Sequence, residues 1–145
     1  MRILLLSVFT LHFLFSFGQN SNDTLRKPCE FPPYINDSEV YDIVEYQPSF
    51  PKGKEKLNKY IKKKFNNPNN KADSSIASVY VRFIVDETGK CVYPCVTTKG
   101  NVNISADLEK AAIELVNKMP NWTPGKHRGE NKNVFAFIKI VLKEK

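Results

Sequence analysis

The alternation of apolar and polar positions is sharpest over "SVYVRFIVD", Ser78 to Asp86. Val79, Val81, Phe83 and Val85 fall on one side of an extended chain, and Tyr80, Arg82 and Ile84 on the other. That period of two predicts a strand. "DETGK" then turns the chain, with Gly89 as the residue of positive φ. "CVYPCVTT", Cys91 to Thr98, returns as the second arm of a hairpin. Pro94 cannot donate a ladder hydrogen bond, so it predicts an irregular place in that arm. The last alternating run is "NVFAFIKIVL", Asn133 to Leu142. It puts Val134, Ala136, Ile138, Ile140 and Leu142 on one face and Phe135, Phe137, Lys139 and Val141 on the other. "VYDIVE", Val40 to Glu45, reads as a further short strand.

Two segments follow the helical period instead. In Lys52 to Phe65, Leu57, Tyr60, Ile61 and Phe65 make an apolar stripe, with lysines on the other faces. In Ala106 to Met119 the stripe is Leu108, Ala111, Ala112, Leu115, Val116 and Met119. Ser105 can cap this second helix, Asp107 suits its first turn, and Pro120 stops it. Pro48 and Pro51 fix "YQPSFP" as extended chain, and "NNPNNKAD", Asn66 to Asp73, carries turn chemistry. The order is short strand, helix, hairpin, helix, strand. It predicts an α+β domain: a small antiparallel sheet of about three strands plus a short N-terminal one, with both helices on one face.

The N-terminus changes the picture of where this domain works. Met1-Arg2 is followed by an apolar run from Ile3 to Phe17, and Ser16 and Gly18 are small residues before a cut at Gln19. Residues 1–18 therefore read as a cleavable signal peptide. The run is shorter than the roughly 20 residues of a spanning helix; an uncleaved inner-membrane anchor is the alternative. Residues 19–39 read as a polar, proline-containing tail, and residues 40–145 as the domain. After cleavage the net charge is +6, with 21 basic residues against 15 acidic. A basic balance suits nucleic acid, anionic lipid or plain solubility. An exported chain rarely meets nucleic acid, so none is expected as a partner, and peptidoglycan or other envelope polyanions, reached through the lysine-rich first helix, remain.

The cysteines are Cys29, Cys91 and Cys95. Four strand steps of ~3.3 Å place Cys91 and Cys95 roughly 13 Å apart, too far for a bridge. Any disulfide joins Cys29 to one of them; the alternative is three separate small thiols. His127 is the only histidine left after cleavage, so a zinc site and a Ser-His or Cys-His nucleophile pair both lack partners. Asp86-Glu87 and the helical Glu109 and Glu114 suit solvated positions, and "TGK" and "PGK" lack the full phosphate loop. No cofactor, metal or catalytic residue is expected.

The stretches "VEYQPSFPKG", "VYVRFIVDETGKC" and "ADLEKAAIELVNKMPNWTPGKHRGENKNV", followed by the closing strand, resemble the C-terminal domain of TonB. The resemblance runs from Val40 to about Leu142. Its signature residues here are Gly89, Met119, Pro120, Trp122, Pro124 and Gly125. Departures are Lys52 in place of the first glycine of a Gly-Gly pair, Asn67-Pro68 in place of a Tyr-Pro turn, and Glu114 in place of an arginine. The resemblance implies a periplasmic domain that adds a short receptor segment, the TonB box of an outer-membrane TonB-dependent receptor, to a sheet edge. It implies the terminal strand as that edge: Asn133, Val134, Phe135, Ala136, Phe137, Ile138, Lys139, Ile140 and Val141. Residues 19–39, at ~3.5 Å each, span at most roughly 70 Å, short for a linker that carries force. The expectation is a free periplasmic domain, with a short membrane-anchored energy transducer as the alternative. Edge pairing between copies leaves a homodimer open.

Trp122, the single tryptophan, stands between Pro120 and Pro124. A binding platform would leave its indole exposed. Its place between the second helix and the terminal strand predicts a buried anchor.

Overall fold

The computed structural model describes residues 29–68, 78–97 and 104–142. The signal peptide read over residues 1–18 and the first part of the tail lie outside the described residues, as does most of the turn read over 66–73. Among the described residues, no helix is long and apolar enough to cross a membrane.

The chain order is β1 (Tyr34–Ile35), β2 (Ser38–Tyr41), α1 (Lys54–Lys64), β3 (Ser78–Val85), β4 (Cys91–Thr97), α2 (Ala106–Asn117), β5 (Gly125–His127) and β6 (Glu130–Val141). The architecture is α+β, with two helices and one curled sheet. The sheet order is β1-β2-β6-β3-β4, with β5 paired to β6. β3 runs antiparallel to β4 on one side and to β6 on the other, from Ser78↔Val141 to Val85↔Val134. Paired residues share a face, so the period-two pattern of β3 propagates into β6. Val79, Val81, Phe83, Val85, Ile138 and Ile140 are buried in one core with Ile61 of α1 and Leu108, Ala112, Leu115 and Val116 of α2. Both apolar stripes thus cover the same face. The Ser105 hydroxyl accepts from Leu108 N at 3.2 Å and caps α2.

The sheet departs from the sequence expectation in two respects. It is mixed, because β2 runs parallel to β6 through Val40↔Asn133 and Tyr41↔Val134. It also has six strands, because β1 and β5 are too short to show a period. Each belongs to a hairpin closed by two residues of positive φ: Asn36 and Asp37 between β1 and β2, Arg128 and Gly129 between β5 and β6. That is the signature of a type I′ turn. The tail boundary is corrected accordingly. Residues 29–39 are part of the fold, carrying β1, the start of β2 and the half-cystine Cys29.

The irregularity announced by Pro94 has a precise consequence. Ile84 pairs with Val92 and Arg82 with Cys95, so β4 carries one extra residue opposite Phe83. Tyr93, with φ 52°, takes up this bulge. A regular strand would put Cys91 and Cys95 on the same face. The bulge sends Cys91 into the core, opposite Val85, and Cys95 to the back face beside Arg82. There Cys95 meets Cys29 in a disulfide with a Cα–Cα distance of 5.8 Å. Cys91 stays a buried free thiol.

Burial, and next the charge of Asp86, push the Cys91 thiol from 9.0 up to about 12. The native state therefore keeps a proton that the unfolded chain releases near pH 9. Between pH 9 and 12 the unfolded state binds fewer protons, so stability falls as pH rises, by up to ~1.4 kcal/mol per pH unit. Denaturant midpoints measured from pH 8 to 11 should decline, and Cys91→Ala should flatten the decline. An identical slope in the variant would assign the effect to other groups.

Candidate functional site

The site predicted on β6 divides in two. Along Val134–Val141 the strand is paired on one side with β3. On its other side β2 covers Asn133 and Val134, and β5 pairs with Glu130–Lys132. Among the described residues, no strand pairs with that outer side from Phe135 to Val141. β6 is thus internal to the sheet order, and only its second half offers an edge. Asn133 and Val134, expected as partner-binding residues, are instead enclosed: Val134 is fully buried and Asn133 is 2% exposed. The reason is the parallel approach of β2, which a reading of β6 alone could not supply.

Asn133 is the only buried polar residue of the described core. Its Oδ1 accepts from Glu87 N at 3.2 Å. Its Nδ2 donates to Ile35 O and Ser38 O, both at 3.3 Å. One amide therefore joins the β1–β2 hairpin, the β3–β4 turn and β6.

Two clefts flank the open half of β6. One, of about 470 Å³, is lined by Asp42, Gln47, Pro48, Trp122 and Phe135–Phe137. The other, of about 480 Å³, lies between α1 and the strand end, among Asn58, Ile61, Lys62, Phe65, Lys139 and Val141. This cleft brings core-side residues of α1 together with back-face residues of β6. Phe137 is 70% and Val141 53% exposed. Ala136 is half-buried beside the core, and Ile138 and Ile140 are buried within it.

The back face at the start of this edge is organised by Arg82. Its guanidinium lies 4.0 Å from the Phe135 ring centre and 5.2 Å from that of Phe31. It also donates to Asp42 Oδ1 at 2.8 Å. Phe31 meets Phe135 edge-on at 5.1 Å. Lys139 stands 6.0 Å over the Tyr80 ring. The cation–aromatic geometry fits an attractive contact.

Trp122 lies beside the edge rather than on it. It is 7% exposed and packs edge-to-face against Phe50 and Phe83, at 5.8 and 5.3 Å. Its amide donates to Gly89 O at 2.7 Å. Its indole Nε1 is buried and meets no acceptor among the described residues. Met119 is half-buried against the core. Beyond Pro120 and Trp122, backbone bonds Thr123–Ser49 and Lys126–Tyr46 hold the segment containing Pro124 to the extended "YQPSFP" stretch. A Cβ on Gly125 would stand 2.6 Å from Val134 Cγ2 and 3.2 Å from Pro48 Cδ, so glycine permits that close crossing. His127 Nδ1 lies 3.7 Å from Glu45 Oε1, too far for a hydrogen bond.

The described residues contain no group of three His, Cys, Asp or Glu side chains placed to hold a metal. What the arrangement offers chemically is backbone hydrogen-bonding capacity along one strand, flanked by apolar clefts and by lysines. Compared with family models, curated proteins and solved structures, the chain has no match in any of the three.

Proposed function

We propose that this chain is a non-enzymatic, exported interaction domain of the TonB C-terminal type. It takes up an extended segment of an outer-membrane receptor, the TonB box, as an added strand on β6. The observation that carries this reading is the unpaired outer side of Phe135–Val141, with a cleft at each end. An open edge presents N–H and C=O groups in a row, and an extended peptide completes them. Alternate side chains of that peptide then reach Phe137 and Lys139 on one face and the Ile61–Phe65 cleft on the other. The motifs "VYVRFIVDETGKC" and "MPNWTPGK" support the family assignment. The basic α1 and Lys139 favour a segment with acidic side chains.

Titrating the labelled domain with a TonB-box-type peptide should shift backbone amides of residues 135–141 and leave β4 still. Phe137→Ala should weaken binding about tenfold, ~1.4 kcal/mol, by removing a cross-strand contact without touching the core. Added salt should weaken it further. Saturating peptide with no shift in 135–141 would sink the proposal.

A further inference from the structure

We infer that residues 29–42 form a detachable strap, latched by the Cys29–Cys95 disulfide, whose thiol–disulfide state sets how much of the β6 edge is open. The inference rests on the strand-addition reading for its functional consequence, but not for the latch itself.

Several observations carry the latch. From Cys29 to Ile43 no residue is buried, and the core cluster begins at Phe50. The strap therefore contributes little hydrophobic burial of its own. Its ladder to β6 is two residue pairs long. Its other holds are polar or half-exposed: the two Asn133 bonds, the Arg82–Asp42 pair, the contacts of Phe31 with Phe135 and Arg82, and the tilted Tyr41–His127 ring contact at 5.9 Å. The covalent link is what keeps Phe31 over Arg82 and Phe135. Both half-cystines are only partly buried, so a thiol reagent can approach. Cys91 cannot substitute for either, because it lies in the core on the opposite face.

The chemistry balances with a dithiol as the reductant. One thiolate of the dithiol attacks Sγ of Cys29 or Cys95 and the S–S bond breaks. The dithiol's second thiolate then attacks its own sulfur in the mixed disulfide and expels the remaining cysteine as a thiolate, and both cysteine sulfurs take up protons. The dithiol leaves oxidised to its own disulfide, and Cys29 and Cys95 both end as thiols. Freed at Cys29, the strap frays from its N-terminal end. β2 then leaves Asn133 and Val134, and the open edge lengthens from Phe135–Val141 to Asn133–Val141.

Amide hydrogen exchange tests the latch without any partner. In the oxidised protein, the Val40 amide, which donates to Pro33 O at 2.9 Å, should be protected. Adding dithiothreitol, or substituting Cys29→Ser, should speed its exchange at least tenfold while Val81 and Phe83 of β3 keep theirs. Equal Val40 exchange in both states overturns the inference. So does a matching loss of protection at Val81 and Phe83, which would make the disulfide a staple of the whole fold. A TonB-box-type peptide should shift Asn133 and Val134 amides only in the reduced state or in Cys29→Ser. A footprint unchanged by reduction overturns the edge-lengthening. A peptide that binds in neither state overturns the strand-addition reading, and the exchange data still decide the latch.

Discussion

Replacing Trp122 by Ala should lower the unfolding free energy by about 3–5 kcal/mol, the range for emptying a large aromatic from a packed core. The indole fills the space between Phe50, at the entry to α1, and Phe83 of β3. Phe83 is itself fully buried, so neighbours cannot collapse into the gap without distorting the sheet. Trp122→Phe should recover most of the loss. It keeps an aromatic in place and removes an Nε1–H that is buried without an acceptor among the described residues, a group that itself costs about 1–3 kcal/mol. Urea unfolding followed by far-ultraviolet circular dichroism reads both variants. An Ala variant with an unchanged midpoint that merely loses peptide binding would overturn the anchor assignment.

Gly89→Ala should cost roughly 2–4 kcal/mol, more than a surface turn substitution normally does. Gly89 has φ +88°, which an L side chain adopts only with strain. The backbone of Trp122 also lies directly against it: an added Cβ would overlap the Trp122 carbonyl oxygen. That carbonyl cannot swing away freely, because the Trp122 amide is bound to Gly89 O. The two effects should couple. In a Trp122→Ala background the 121–124 segment is free to relax, so Gly89→Ala should cost at least ~1 kcal/mol less there than in the parent. Strictly additive losses in the four-protein cycle would show that the turn and the tryptophan segment do not act on each other.

Much of the architecture was legible in the residues, and for identifiable reasons. β3 and β6 are long enough for period two to be unmistakable. The helices carry apolar stripes, a serine cap and a proline stop, and these bracket α2 to within two residues of Ala106–Asn117. The β1–β2 hairpin carries only a faint signal in the sequence. Asn36-Asp37 is turn chemistry of the primed kind, but strands of two and four residues show no periodicity, and the prolines around them resemble a tail. The alternation places Asn133 on β6, yet nothing in one chain position says that three backbone segments will converge on its amide.

The candidate edge shows the same division. The run Phe135–Val141 identified a strand, but a strand is an edge only relative to its neighbours. The cysteines show it again. Spacing excluded a Cys91–Cys95 bridge, and Pro94 marked where β4 is irregular. The choice of Cys95 as the partner of Cys29 follows from one inserted residue that reverses which face Cys95 occupies.

By itself, then, the sequence determined the two helices, the long strands β3 and β6 with the faces they bury, and the place of the tryptophan joint, because hydrophobic period, capping and turn chemistry act over a few neighbouring residues. Only the tertiary structure decided which half of β6 stays unpaired, which cysteine meets Cys29, and that residues 29–42 lie across the sheet. Those outcomes depend on strand pairing between segments some 65 to 100 positions apart in the chain, and non-local pairing is settled by the packing of the whole domain, not by the residues adjacent to it.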